Sequence, residues 1–159
     1  MVGAYRLFDN DFINPEKILK PHYKSVALRA KMQSVVLLLN DTSSLDYTSR
    51  DIKGLGILEK NYTQGFFIHP TIAITPERRC LGLVDNCTWV RSPDLHRKKI
   101  SASIRGNQPI EEKESYRWLE SYRKASLFAK TVSETKFVFI AGCLPREVCE
   151  RKGISCRLN

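Results

Sequence analysis

Acidic residues are in short supply: seventeen Asp and Glu stand against twenty-six Lys and Arg in 159 residues, a formal charge of +9. Long apolar runs are missing too. No stretch reaches the roughly 18 consecutive apolar residues that a bilayer-crossing helix needs. The longest, Val35–Leu39 and Phe137–Ala141, have the length of strands. Arg6, Asp9 and Asp11 interrupt the N-terminus before any apolar segment forms, so no secretory leader is read there. A cytoplasmic location and no membrane partner are the expectation. Cys80, Cys87, Cys143, Cys149 and Cys156 contain no C-x-x-C pair. A zinc site needs close ligand pairs, so reduced and mostly buried thiols are expected instead. Gly54 and Gly56 lack the third glycine and the lysine of a phosphate-binding loop and read as a turn. No internal repeat and no low-complexity segment occurs.

What remains is a globular composition, 42% hydrophobic and 27% charged, long enough to bury a core. The isoelectric point near 9.5 favours phosphate-bearing partners through counterion release. Asn14-Pro15-Glu16 starts a helix, with Asn as cap and Pro at the first helical position. Pro21 is expected to close that short helix and open a second, in which Tyr23, Val26, Ala27 and Ala30 share one face. Val35–Leu39 then reads as a strand buried on both sides.

The segment from Asp46 to Gln64 reads as a loop. Gly65–Thr75 and Cys80–Arg91 form a hairpin across the turn at Pro76–Arg79. Pro70 inside the first of these strands argues for an edge position or a bulge. Trp118, Tyr122, Ala125 and Ala129 repeat at helical spacing within Glu114–Lys130. Trp118 and Tyr122 therefore belong to an apolar core face rather than to a stacking platform. Lys136–Ala141 is a last apolar strand.

The order is strand, hairpin, helix, strand. A strand–helix–strand passage favours a parallel pairing of the last strand with the first. Their carboxyl ends, Leu39–Asp41 and Ile140–Gly142, would then lie side by side, where open α/β sheets place ligands. Asp41, at the end of a rigid strand, is the candidate ligand for a hard cation.

Four segments carry a family resemblance: Gly3-Ala4-Tyr5-Arg6-Leu7-Phe8-Asp9-Asn10, Asn40-Asp41-Thr42-Ser43-Ser44-Leu45-Asp46-Tyr47, His69-Pro70, and Lys113-Glu114-Ser115-Tyr116-Arg117-Trp118-Leu119. In that order they resemble DDE transposases of the IS-four type, over about Gly3 to Ala141. The resemblance implies an α/β, ribonuclease H-like fold with a mixed sheet and N-terminal helices. It also implies chemistry at DNA phosphodiesters, with carboxylates holding two magnesium (or manganese) ions. Asp41 matches the first carboxylate and would be both catalytic and metal-binding.

The second carboxylate of the family follows its fourth strand in an Asp-Arg-Glu-x-Asp motif. Here Gly142-Cys143-Leu144-Pro145-Arg146-Glu147 stands in that place, and glycine cannot ligate. The third belongs to a later helix that the sequence does not reach. The expectation is a partial domain: residues 1–34 an N-terminal helical segment, 35–141 an incomplete catalytic domain, 142–159 a divergent tail suggestive of a shifted reading frame. Magnesium would not be bound productively. Arg91, Arg97, Lys98, Lys99 and Arg105 are the candidate DNA-phosphate contacts. Two other readings stand beside this one. The first is a non-catalytic DNA-binding or transposition-inhibiting protein that pairs with full-length transposase. The second is a small metal-dependent nuclease joining Asp41 to Glu147 or Asp85.

Overall fold

A computed structural model describes residues 2–58, 62–91 and 109–142. The chain begins with helices α1 (Val2–Phe8) and α2 (Pro15–Lys31), followed by strands β1 (Val35–Asn40), β2 (Ser43–Asp46), β3 (Gly56–Ile57), β4 (Gln64–Ile74) and β5 (Cys80–Trp89). A 3-10 turn at Ile110–Glu112, helix α3 (Tyr116–Lys130) and strand β6 (Lys136–Ala141) are the remaining elements among the described residues. The result is a mixed α/β architecture around one six-stranded sheet.

The long strand β4 organises that sheet. On one side it pairs antiparallel with β1 through Leu37↔Ile74 to Asn40↔Thr71, then with β2 through Ser43↔Ile68 to Asp46↔Gly65. Strands β5 and β3 also pair antiparallel with it. The parallel partner expected for the last strand is present: β6 runs beside β1 from Val35↔Lys136 to Asn40↔Ala141. Gly142 N–H donates to the Asn40 carbonyl at 3.0 Å, extending this ladder one residue past the strand ends.

Alternation along the strands sends Val36, Leu38, Ala73, Phe137 and Phe139 to one face. There Val26 and Ala30 of α2, Ala125 and Phe128 of α3, Val132, and Leu81 and Val84 of β5 pack against them. Most of the stabilisation comes from burying this aliphatic and aromatic surface. Polar fasteners fix where α2 lands: His22 Nε2 accepts from Leu83 N–H at 3.0 Å, and Arg29 Nε donates to the Leu81 carbonyl at 2.7 Å. Near the C-terminal end of α2, Thr135 Oγ1 donates to the Ala30 carbonyl at 2.9 Å, which also accepts from Gln33 N–H at 2.9 Å.

Three sequence expectations need correction. Pro21 does not end a helix; it lies inside α2. Its missing N–H removes only the bond that Lys17 would have received, and burial of Val26 and Ala30 carries the helix on. The 46–64 segment is not all loop, since β2 begins at Ser43 and β3 adds a short pairing at Gly56–Ile57. Of the edge position or bulge expected at Pro70, the edge is what needs correction: Pro70 is in the middle of a central strand, beside a register irregularity. It lies where the neighbour of β4 changes from β1 to β2, one residue before a register shift at Thr71/Ile72. The ladder is already interrupted there, so the absent N–H costs little.

Candidate functional site

Strand β1 ends in a buried amide and an exposed acid. Asn40 is enclosed, its Nδ2 donating to the Pro70 carbonyl at 3.0 Å and to Thr71 Oγ1 at 2.9 Å. This cross-strand fastening fixes the backbone from which Asp41 projects. Asp41 itself is exposed, and its Oδ1 accepts from Thr42 N–H at 2.8 Å.

Beneath Asp41, Thr42 Oγ1 lies 2.7 Å from Nδ1 of His69, a fully buried residue of β4. The His69 ring meets Trp118 of α3 edge-on, centroid to centroid 4.4 Å at 77°. Burial holds its pKa below the ordinary histidine value, outweighing the opposite pull of Asp41 and Asp85. A neutral ring can accept the Thr42 hydroxyl hydrogen at Nδ1, which leaves the proton on Nε2. Among the described residues His69 Nε2 has no hydrogen-bond partner. His69 entered the sequence reading only through a short motif and Trp118 also as a core residue of its helix; here they tie the Asp41 strand end to α3.

The N-terminal end of α3 forms the opposite wall. Arg91 Nε and Nη2 donate to the two Glu114 oxygens at 2.6 and 2.7 Å, a bidentate pair. The Arg91 hydrogen bond and charge keep the Glu114 carboxyl below its ordinary pKa. The Arg91 guanidinium also lies 4.2 Å from the Phe67 ring centroid, and that of Arg117 lies 4.2 Å from Trp89. Between strand end and helix opens a cleft of about 320 Å³, lined by Thr42, Ser44, Phe67, Trp89, Arg91, Glu114, Ser115 and Trp118.

The sequence-predicted residues meet different fates. Asp41 and Gly142 come together: a Cβ built on Gly142 would stand 2.9 Å from Asp41 Cγ and 3.1 Å from each of its oxygens. Arg91 lines the cleft but is engaged by Glu114. Arg97, Lys98, Lys99, Arg105 and Glu147 lie outside the described residues, as do Cys143, Cys149 and Cys156. Trp118 is core, as its helical spacing suggested, with Tyr122 edge-on to Phe139. Cys80 is exposed, contrary to the expectation of mostly buried thiols, while burial raises the Cys87 thiol pKa.

Asp85 is not a second ligand beside Asp41. Its Oδ1 accepts from Lys124 Nζ at 3.1 Å. It pairs across β5–β4 with Thr71, which in turn pairs with Asn40. Two strand spacings of roughly 4.8 Å therefore separate it from the end of β1. Among the described residues no three His, Cys, Asp or Glu side chains gather into a metal-binding group. A two-ion arrangement needs carboxylates from neighbouring elements to bridge ions roughly 4 Å apart. The glycine at the second strand end does not fit that requirement. No described helix is long and apolar enough to cross a membrane. No protein-family model matches this chain, and no curated protein matches it.

Proposed function

We propose that this chain is a catalytically incomplete relative of the insertion-sequence transposases, with a partial ribonuclease H-like sheet that contacts DNA without cutting it. One observation carries this reading. Parallel strands β1 and β6 end side by side, with Asp41 on one tip and Gly142 on the other. That juxtaposition supports a site built for carboxylates on both strand ends, of which only Asp41 is present. The four motif segments and the charge of +9 support the family and the DNA partner. Magnesium or manganese belongs to the intact family and has no productive seat on these two strand ends.

The test is a strand-nicking and strand-joining assay with the purified chain, supercoiled DNA, and magnesium or manganese. No product is expected. Metal-dependent nicking that vanishes in Asp41→Ala would overturn the reading and favour the nuclease alternative. DNA contact is tested separately by binding across a salt series, where affinity should fall steeply as counterion release weakens. Equal affinity at low and high salt would remove the DNA partner. The transposition-inhibiting alternative keeps the same inactive site and adds a protein partner; co-purification with an intact transposase would distinguish it.

A further inference from the structure

A sheet edge exposes a row of backbone donors and acceptors, and folds ordinarily blunt it with short strands, bulges, proline or charge. The edges at β2, β3 and β5 are blunted. β2 has four residues and β3 two. β5 departs twice from regular pairing, opposite Thr71/Ile72 and Ala73/Ile74, and carries Asp85 and a Gly82 with φ +128°. β6 is different. It pairs with β1 without a register shift, and among the described residues no strand lies on its other side. Its sequence, Lys136-Phe137-Val138-Phe139-Ile140-Ala141, has no proline, no glycine and one charge.

The backbone of this strand divides its groups between two sides. Lys136 N–H donates to the Ser34 carbonyl and Gly142 N–H to that of Asn40, both at 3.0 Å. Successive residues of a strand direct their backbone groups to alternate sides, so Val138 and Ile140 also face β1. Phe137, Phe139 and Ala141 therefore turn N–H and C=O toward the outer edge. Their side chains add a second signal. Phe137 and Phe139 pack against the core, yet the core stops at this strand and leaves both only half-buried. Val138 and Ile140 are exposed on the opposite face.

We propose that the outer edge of β6 pairs antiparallel with the same edge of a second copy of this chain, about a two-fold axis at Phe139. Residues opposite one another in such a pair share a face, so the register must match core side with core side. With Phe139 opposite its own copy, Phe137 meets Ala141 and Val138 meets Ile140, and both faces match. Every outward N–H and C=O of Phe137, Phe139 and Ala141 is then used, in about six new hydrogen bonds. The aliphatic rows Ile72–Leu39–Ile140 and Ile74–Leu37–Val138 run on into those of the second copy. Lys136, the one charge of the strand, falls opposite Gly142 rather than another lysine. Among the described residues no other unpaired apolar strand is available to take this place. A self-matched contact uses up both edges, and the blunted edges do not continue the sheet, so assembly closes at two copies. The charge of +9 on each copy opposes pairing until salt screens it.

Hydrogen exchange of the full chain, read residue by residue at moderate salt, separates this edge from any other contact. The amides of Val138, Ile140 and Gly142 should be protected at every concentration, because they bond to β1. Those of Phe137, Phe139 and Ala141 should exchange freely in dilute protein and slowly in concentrated protein. Sedimentation velocity should show a monomer–dimer shift over the same range. Ala141→Pro removes an outward N–H and no bond to β1, a change that an edge strand permits. It should weaken the dimer about tenfold or more, since two hydrogen bonds per dimer are lost. Ala141→Ser keeps the N–H and should match the parent. If Ala141→Pro does not fold, the exchange pattern of the parent decides alone. Protection of the three outward amides that ignores concentration would mean that the chain covers its own edge, and overturns the proposal. Association that leaves those amides unprotected, species larger than a dimer, or a monomer at every concentration overturns it equally.

Discussion

Asp41 and Gly142 share one spot at the ends of two parallel strands: each Asp41 oxygen lies 3.1 Å from where a Gly142 Cβ would stand. The contact is with the end of an exposed side chain, which can turn aside. A side chain at position 142 can therefore be accommodated without moving backbone. Gly142→Asp should place two carboxylates together and raise affinity for manganese by about tenfold or more, since affinity for hard cations rises with ligand charge. Electron paramagnetic resonance of manganese titrated into both proteins measures this. Gly142→Asn adds similar bulk without charge and should stay near the parent value. If Gly142→Asp binds no better than Gly142→Asn, the two strand ends do not form a shared cation site.

The buried His69 gives the fold a pH dependence with a definite sign. Its native pKa lies below the ordinary value because burial disfavours the charged ring. Above a pH of roughly 6.5 neither folded nor unfolded chains carry the proton, and His69 contributes no slope. As pH falls below that value the unfolded chain takes up a proton that the folded chain refuses, so stability declines until the native pKa is reached. Glu114 acts in the same direction at lower pH: its native carboxyl titrates below the ordinary value through Arg91, and that contribution fades as acid protonates it. Urea unfolding at pH 7.5 and 5.5, referenced for each protein to its own value at pH 7.5, tests the assignment. The parent chain should lose stability across this step, and His69→Gln should lose less. An equal loss in both would place the titrating group elsewhere.

Much of this geometry was legible because burial imprints a period. Val35–Leu39 and Phe137–Ala141 are continuous apolar runs; they became the paired parallel strands, and the helix at 116–130 followed from its apolar spacing. Strand β2 was not legible. Ser43-Ser44-Leu45-Asp46 is mostly exposed, so no hydrophobic alternation marks it, and its pairing with β4 exists only through tertiary contact. The cleft was invisible for a related reason. Phe67, Trp89 and Glu114 are far apart in sequence, and only the β4–β5 register and the position of α3 bring them together. Arg91 entered the sequence reading through the basic run as a phosphate contact; its bidentate pairing with Glu114 is made by tertiary structure and has no signature in the sequence.

That engagement makes a prediction about DNA binding. A guanidinium already neutralised by a bidentate carboxylate releases few counterions when phosphate approaches. Arg91→Gln should therefore change the slope of log affinity against log salt by well under the roughly 0.9 expected per phosphate contact. It should nevertheless lower thermal stability, because the fork on Glu114 and the packing on Phe67 are both lost. A change in slope near 0.9 would make Arg91 a direct phosphate ligand.

Gly82 of β5 lies directly against α2. Its φ is +128°, and a Cβ there would meet Val26 Cγ2 at 2.7 Å and His22 Nε2 at 2.9 Å. The same His22 nitrogen accepts from Leu83, so the helix cannot retreat without breaking that bond. Gly82→Ala combines unfavourable backbone, roughly 1–3 kcal/mol, with overpacking of similar size. A loss of about 3 kcal/mol in urea unfolding is expected; a change within experimental error would mean that α2 is free to shift away from β5.

The sheet face turned away from α2 and α3 carries two aligned aliphatic rows. By register these are Ile74–Leu37–Val138 and Ile72–Leu39–Ile140 across β4, β1 and β6. Ile72, Val138 and Ile140 are 36%, 38% and 41% exposed, and no described residue belongs to a helix packed over them. Contiguous apolar surface of this kind favours self-association, and a chain of net charge +9 opposes it through repulsion. Salt shifts that balance, because it screens the charge and leaves the hydrophobic attraction in place. Sedimentation velocity should therefore show association increasing from low to high salt. The paired change Val138→Lys with Ile140→Thr should suppress it, at little cost to folding because both side chains face outward. Association that is indifferent to salt, or unaltered by these substitutions, would locate the sticky surface elsewhere, with exposed Tyr5, Phe8 and Phe12 near the N-terminus the next to be changed.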